Sequence, residues 1–176
     1  MDPFATLGIS PSFDVDLAAV EKTHRELSRA LHPDRYLGAS ASERRSALLK
    51  AVEVNEAWGV VRDPIRRAES LLALRGVAMG EGHEPKSAPE FLMEMLEQRE
   101  ALSEARQARD AAAVHRMAAQ AEARSREVER ALSEGFARGE AASPADLAGL
   151  AGKVGELRFY RRLLDEVSAI EDELAA

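Results

Sequence analysis

Leu17-Ala18-Ala19-Val20-Glu21-Lys22-Thr23-His24-Arg25-Glu26-Leu27-Ser28-Arg29-Ala30-Leu31-His32-Pro33-Asp34 is the stretch on which the reading of this chain turns. Leu17, Val20, Leu27 and Leu31 recur at the spacing of one helix face, which predicts a helix from about Asp14 to Leu31. His32-Pro33-Asp34 ends it, because the proline ring crowds the preceding residue out of the α region. At about 100° per residue, Val20, Leu27 and Leu31 share one side of the helix. Lys22, Arg25 and Arg29 fall on the other, and Arg35 carries the charge into the loop. A basic face backed by an apolar seam suits docking on an acidic partner surface. A charge stripe alone is more often a solvated face, and His-Pro-Asp alone is only a three-residue match. Their combination between two amphipathic helices is far more specific.

Outward from that stretch the pattern stays helical. Pro3 to Leu7 forms a short opening segment that stops at Gly8, with a turn around Ser10-Pro11. After the His-Pro-Asp loop a helix is predicted from about Ser42 to Arg62, with Leu48, Leu49, Val52 and Trp58 among its apolar residues. Asp63-Pro64 caps the next helix, whose apolar side is Ile65, Ala68, Leu71 and Leu72 and whose C-cap is Gly76. Gly76, Gly80, Gly82, Pro85 and Pro89, with few apolar residues between them, mark a linker. The expected organisation is therefore a domain over 1–75, a linker over 76–83 and a second domain over 84–176.

In the second domain Ser87-Ala88-Pro89-Glu90 reads as a capping box that opens a helix reaching about Arg109. Val114, Met117, Ala121, Val128 and Leu132 give another, ending near Gly135. Ser143-Pro144-Ala145-Asp146 starts a third, with Leu147, Leu150, Val154, Leu157, Leu164 and Leu174 along one stripe. Three long amphipathic helices predict a three-helix bundle or an antiparallel coiled coil. No strand pattern stands out, so the fold class is all-α: an antiparallel hairpin with short helices, then the bundle.

Composition agrees. Of 176 residues, 45% are hydrophobic, 31% charged and only 5% aromatic, a helix-former's balance. The absence of cysteine excludes disulfides, thiol nucleophiles, thiolate zinc sites and cysteine-ligated clusters. No apolar run approaches the roughly 20 residues that span a bilayer. The start, Met1-Asp2-Pro3-Phe4, lacks the basic and apolar regions of a signal peptide, so a cytoplasmic protein without membrane contact is expected. The net charge of −7 lies wholly after Arg75, where thirteen Lys/Arg face twenty Asp/Glu; before it there are eleven of each. That acidity disfavours bulk nucleic-acid binding.

A second constellation lies on the helix after the linker. Phe91, Met95 and Leu102 project to one side, with Arg99 nearby. Leu92, Met93 and Leu96 fall on a different arc that continues into Glu97, Glu100 and Glu104. One face can enter the bundle while the other forms a protein-binding patch with an acidic margin. Alternatively, Leu92 and Leu96 widen the buried stripe.

The hairpin with His32-Pro33-Asp34 resembles a J-domain, the module by which co-chaperones engage ATP-driven chaperones of the DnaK class. The resemblance extends along nearly the whole chain. Asn55-Glu56-Ala57-Trp58, Arg62-Asp63-Pro64-Ile65-Arg66-Arg67-Ala68-Glu69, Phe91-Leu92-Met93-Glu94, Arg99-Glu100-Ala101-Leu102 and Leu157-Arg158-Phe159 look like the HscB-type co-chaperones of iron–sulfur cluster assembly. Leu31 departs from that pattern, which has an aromatic residue just before the motif. The resemblance implies that Lys22, Arg25, Arg29, His32, Pro33, Asp34 and Arg35 engage an HscA/DnaK-type chaperone and trigger its ATP hydrolysis by allosteric contact. It likewise implies that Leu92, Met93, Leu96, Glu97, Glu100 and Glu104, completed by Phe159, bind the IscU-type cluster scaffold. No cofactor, nucleotide or cluster is expected on the chain itself.

Other residues carry weaker signals. His24 projects near the apolar seam and reads as a core histidine; His83 and His115 have no neighbour at metal spacing. Glu171-Asp172-Glu173 reads as a solvated helix end, and Trp58 and Asn55 as structural. The rival functions are a general J-protein delivering unfolded clients and a nucleic-acid adaptor using Lys22, Arg25, Arg29 and Arg35. An enzyme ranks last, for want of a phosphate loop or a nucleophile–base pair.

Overall fold

The computed structural model describes residues 2–78, 88–138 and 143–175, and among them every regular element is a helix. The chain divides into two compact units, Met1–Val77 and Ala78–Ala176. The linker expected over 76–83 and the capping box led by Ser87 fall largely on 79–87, outside the described residues.

In the first unit α1 (Pro3–Thr6) is capped by the Asp2 carboxylate, and Gly8 turns the chain with φ 67°. α2 spans Leu17–Ala30. Its start is three residues later than the pattern suggested because Asp16, not Asp14, accepts the Ala19 N–H at 3.0 Å. α3 spans Ala41–Val61, opened by a reciprocal capping box between Ser40 and Glu43. Hydrogen bonds from the Ser40 hydroxyl and backbone N–H hold the Glu43 carboxyl below its ordinary range. Asp63 caps α4 (Pro64–Leu74) through the Ile65 and Arg66 N–H groups. At its end Gly76 adopts φ 80°, the Gly76 N–H reaches the Ala73 carbonyl and the Val77 N–H the Leu72 carbonyl. That is a Schellman stop, which a residue without a Cβ adopts most cheaply.

α3 packs on α1, α2 and α4 through Ala47, Val54, Ala57 and Val61. Leu48, Leu49 and Val52 stay exposed. Small side chains occupy the crowded side because three neighbouring helices approach α3 there. The α2–α3 pair is joined by His24, whose Nε2 N–H donates to Asn55 Oδ1 at 2.9 Å and whose ring stacks on Trp58 at 5.5 Å. Arg67 fastens the remaining corner. Its guanidinium donates to the Val61 carbonyl at 2.6 Å and lies 4.9 Å from the centre of the Phe13 ring.

The second unit is a three-helix bundle of α5 (Pro89–Gln107), α6 (Ala111–Ala137) and α7 (Pro144–Ala175). Gly135 meets Leu150 near one end of the α6–α7 pair, and His115 meets Glu171 near the other, so these helices are antiparallel. Phe91 lies against Phe159, and Arg106 pairs with Glu173, so α5 runs parallel to α7. α5 stops at Gln107, short of Arg109, which instead takes φ 51° in a Schellman stop without glycine. α7 opens where Ser143 and Asp146 exchange hydrogen bonds. Its buried line leaves the expected stripe after Leu157, continuing through Tyr160, Leu163, Val167 and Ile170 while Leu147, Leu164 and Leu174 are half-buried. The shift follows from α7 serving two partners, α6 and α5.

At Gly135 α6 leaves room for a side chain of α7: a Cβ there would sit 2.3 Å from Leu150 Cδ2. Gly135→Ala should therefore lower stability by about 1 kcal/mol, overpacking outweighing the gain in helix propensity. In a Leu150→Ala background, where the space is free, the same change should raise stability. Urea unfolding of the four chains checks this, and the same sign in both backgrounds would refute it.

Candidate functional site

Pro33 requires an extended residue before it, and His32 has φ −61° and ψ 134°. It caps a 3-10 turn, Pro33–Tyr36, its Nδ1 accepting the Asp34 N–H at 3.3 Å with Asp34 Oδ2 3.4 Å from the same nitrogen. The His32 and Asp34 side chains are 57% and 78% exposed, so the motif is presented and not packed. Leading into it, Val20 is buried and Leu27 and Leu31 are half-buried, which turns Lys22, Arg25 and Arg29 outward. Arg25 pairs with Glu21. Lys22, Arg29 and Arg35 are exposed and have no ion-pair partner among the described residues. Three cations are thus available to an acidic surface beside the turn.

On α5 the two arcs separate. Phe91 and Leu102 enter the bundle core with Ala105, and Met95 is half-buried. Leu92, Met93 and Leu96 are 46%, 58% and 64% exposed, so they do not widen the buried stripe. Glu97, Glu100 and Glu104 are exposed along their margin. Phe159 corrects the expected membership of this patch. It is 2% exposed, edge-on to Phe91 at 5.6 Å and to Tyr160 at 5.3 Å. It supports α5 from beneath, because that stretch of α7 turns its aromatic residues toward α5.

One contact beside the patch has no short-range signature. The Tyr160 O–H donates to Glu94 Oε1 at 2.9 Å, and Arg124 Nε lies 3.9 Å from the same oxygen. Burial, and then the bond to Glu94, push the Tyr160 phenol well above its ordinary pKa. It stays a donor at any physiological pH.

Among the described residues no group of three or more His, Asp or Glu is placed to hold an ion. His24 is the interhelical clamp described above, His115 Nδ1 lies 3.4 Å from Glu171, and His83 lies outside the described residues. Glu173 pairs with Arg106. No helix among the described residues is long and apolar enough to cross a membrane.

Residues 87–168 match the family model described as the HSCB C-terminal oligomerisation domain. The Co-chaperone protein HscB homolog of Pseudoalteromonas atlantica is 37% identical over 180 residues, covering 99% of both chains. That of Shewanella baltica is 34% identical over 177 residues, again covering 99% of each. Among solved structures, the chaperone HscB from Vibrio cholerae superposes with a TM-score of 0.84 at 31% identity, covering 99% of both chains. The human co-chaperone protein HscB gives the same TM-score at 24% identity, covering 96% of this chain and 81% of its own, and supports the fold alone. A J-domain with an exposed His-Pro-Asp turn, a C-terminal helical bundle and relatives matched from end to end place the chain in the HscB family of co-chaperones.

Proposed function

We propose that this chain couples an iron–sulfur cluster scaffold to an ATP-driven chaperone. Its J-domain, residues 1–75, stimulates ATP hydrolysis by an HscA/DnaK-type partner, and its bundle, residues 84–176, carries the IscU-type scaffold. The observation that carries this reading is the presence in one chain of two separate exposed surfaces of different chemistry. One is the cationic α2 face ending in His32-Pro33-Asp34; the other is the apolar Leu92, Met93 and Leu96 patch with its acidic margin.

The first surface acts by differential contact. Lys22, Arg29 and Arg35 steer and hold an acidic face of the chaperone, and the His32–Asp34 turn favours the chaperone state competent for hydrolysis. No bond is made or broken on this chain. The second surface gives affinity by burying three apolar side chains, while Glu97, Glu100 and Glu104 orient a basic scaffold face. One chain holding both partners raises the effective concentration of scaffold at the chaperone. Hydrolysis then locks the chaperone onto the scaffold, and the cluster travels with the scaffold as cargo.

Steady-state ATP hydrolysis by an HscA-type chaperone tests the whole reading. The chain alone should stimulate it, and chain plus IscU-type scaffold should stimulate it more than the sum of their separate effects. Stimulation without that synergy would favour a general J-protein delivering unfolded clients. No stimulation, with a chaperone that responds to another J-protein, would refute the chaperone role.

A further inference from the structure

The apolar patch lies on the helix that the bundle holds least. α5 has no side-chain hydrogen bond at its Ala88 cap and buries only Phe91, Leu102 and Ala105 over 19 residues. The patch residues 92, 93 and 96 lie in its first two turns, interleaved with the residues that face inward. The flank of α5 toward α6 leaves a gap in the packing beside the patch. A cleft of about 340 Å³ opens there, lined by Glu94, Gln98, Gln120, Arg124, Glu127 and Tyr160. Over the patch-bearing turns Phe91 is the only buried side chain and Met95 is half-buried, so packing holds that end of α5 less firmly than Leu102, Ala105 and the Arg106–Glu173 pair hold the other.

The Tyr160–Glu94 hydrogen bond crosses this gap. Its donor is rigidly placed: Tyr160 is 4% exposed, and its ring is edge-on to Phe91 at 6.1 Å and to Phe159. Its acceptor sits between Met93 and Met95, one residue from the patch. Arg124, itself 3.0 Å from Glu127, adds a cation on the α6 side. A hydrogen bond is directional, so this one fixes the rotation of α5 where Phe91 fixes its depth. Local rotation or fraying of these first turns toward the cleft would turn Leu96 away and bring Glu97 toward its place.

We infer that Tyr160 is a positioning residue for scaffold binding: its hydrogen bond to Glu94 sets the rotation at which α5 presents Leu92, Met93 and Leu96. This inference rests on the bundle being the scaffold-binding unit, and its test separates the two. In the full-length chain, Tyr160→Phe should weaken binding to the IscU-type scaffold about tenfold, read by calorimetry well below the unfolding temperature. Glu94→Ala should do the same, and the double variant should be no worse than either single change. Glu94→Gln keeps an acceptor at that position and should retain wild-type affinity within about threefold.

Amide hydrogen exchange, measured with no partner present, gives an independent readout. Residues 92–98 should exchange faster in Tyr160→Phe while α6 and α7 keep their protection. Unchanged exchange there, or uniform loss across the bundle, would overturn the inference even if the wild-type chain bound no scaffold. If the wild-type chain binds, unchanged affinity in Tyr160→Phe or strictly additive losses in the double variant would overturn it as well. A wild-type chain that binds no scaffold refutes the functional reading instead.

Discussion

Replacing Leu92, Met93 and Leu96 together with alanine should abolish binding of the IscU-type scaffold while leaving the bundle folded. The three side chains are exposed on the first two turns of α5, so truncation opens no cavity. Alanine is also at least as good a helix former as leucine or methionine. Surface changes of this kind stay within about 0.5 kcal/mol each. Binding is another matter. If the patch is the centre of the interface, truncating its apolar anchors removes on the order of 1–2 kcal/mol apiece. The combined loss is roughly 3–6 kcal/mol, or about two to four decades in Kd. Calorimetry with the scaffold, alongside thermal unfolding, separates the two effects. Binding within tenfold of the wild type would remove the patch from the interface. Phe159 cannot serve in the same experiment: a buried aromatic truncated to alanine costs about 3–5 kcal/mol of stability, so any loss of binding would come with loss of the bundle.

Phe159 also illustrates what a sequence does and does not make legible. The existence of the long helices follows from period alone, because each must hide an apolar face and the 3.6-residue repeat records which one. Their starts are readable where a cap is unambiguous, as at Asp63-Pro64 and Ser143 with Asp146. At α2 two aspartates compete, and only backbone geometry selects Asp16. The capping box of Ser40 and Glu43 was present in the sequence as Ser-x-x-Glu and sets the start of α3 one residue before Ser42. The stop of α5 was not, since Arg109 takes a left-handed conformation that glycine would have announced.

Faces are harder than elements, because burial depends on partners distant in sequence. Leu48, Leu49 and Val52 are apolar yet exposed, while Ala47 and Ala57 are buried, since α3 needs small side chains where α1, α2 and α4 approach. The arc of α7 that holds Phe159 faces α5, and the heptad-like stripe along α7 alone does not reveal a change of partner. The Tyr160–Glu94 bond spans 66 residues and leaves no local signature at all.

The His-Pro-Asp turn leads to the second large expected effect: His32→Gln should remove the stimulation of the chaperone's ATPase and leave both folding and scaffold binding intact. Folding is spared because the His32 side chain is 57% exposed; its Nδ1 accepts the Asp34 N–H, a group that water can satisfy equally well in so exposed a turn. The thermal midpoint should move by less than about 2 °C. Scaffold binding is spared because the patch belongs to the other compact unit. The ATPase effect is large because stimulation is a coupling free energy, typically about 1–3 kcal/mol, carried by contacts that differ between two chaperone states. Removing the group that makes the difference returns the rate toward its basal value, a loss of roughly 5- to 150-fold. The basic face behaves differently. Arg29→Ala, removing one exposed cation beside the turn, should slow association and flatten its salt dependence while the stimulated rate at saturation persists. The two variants therefore separate triggering from recruitment. Stimulation that survives His32→Gln at saturating chain would move the trigger away from the turn and onto the cationic helix itself.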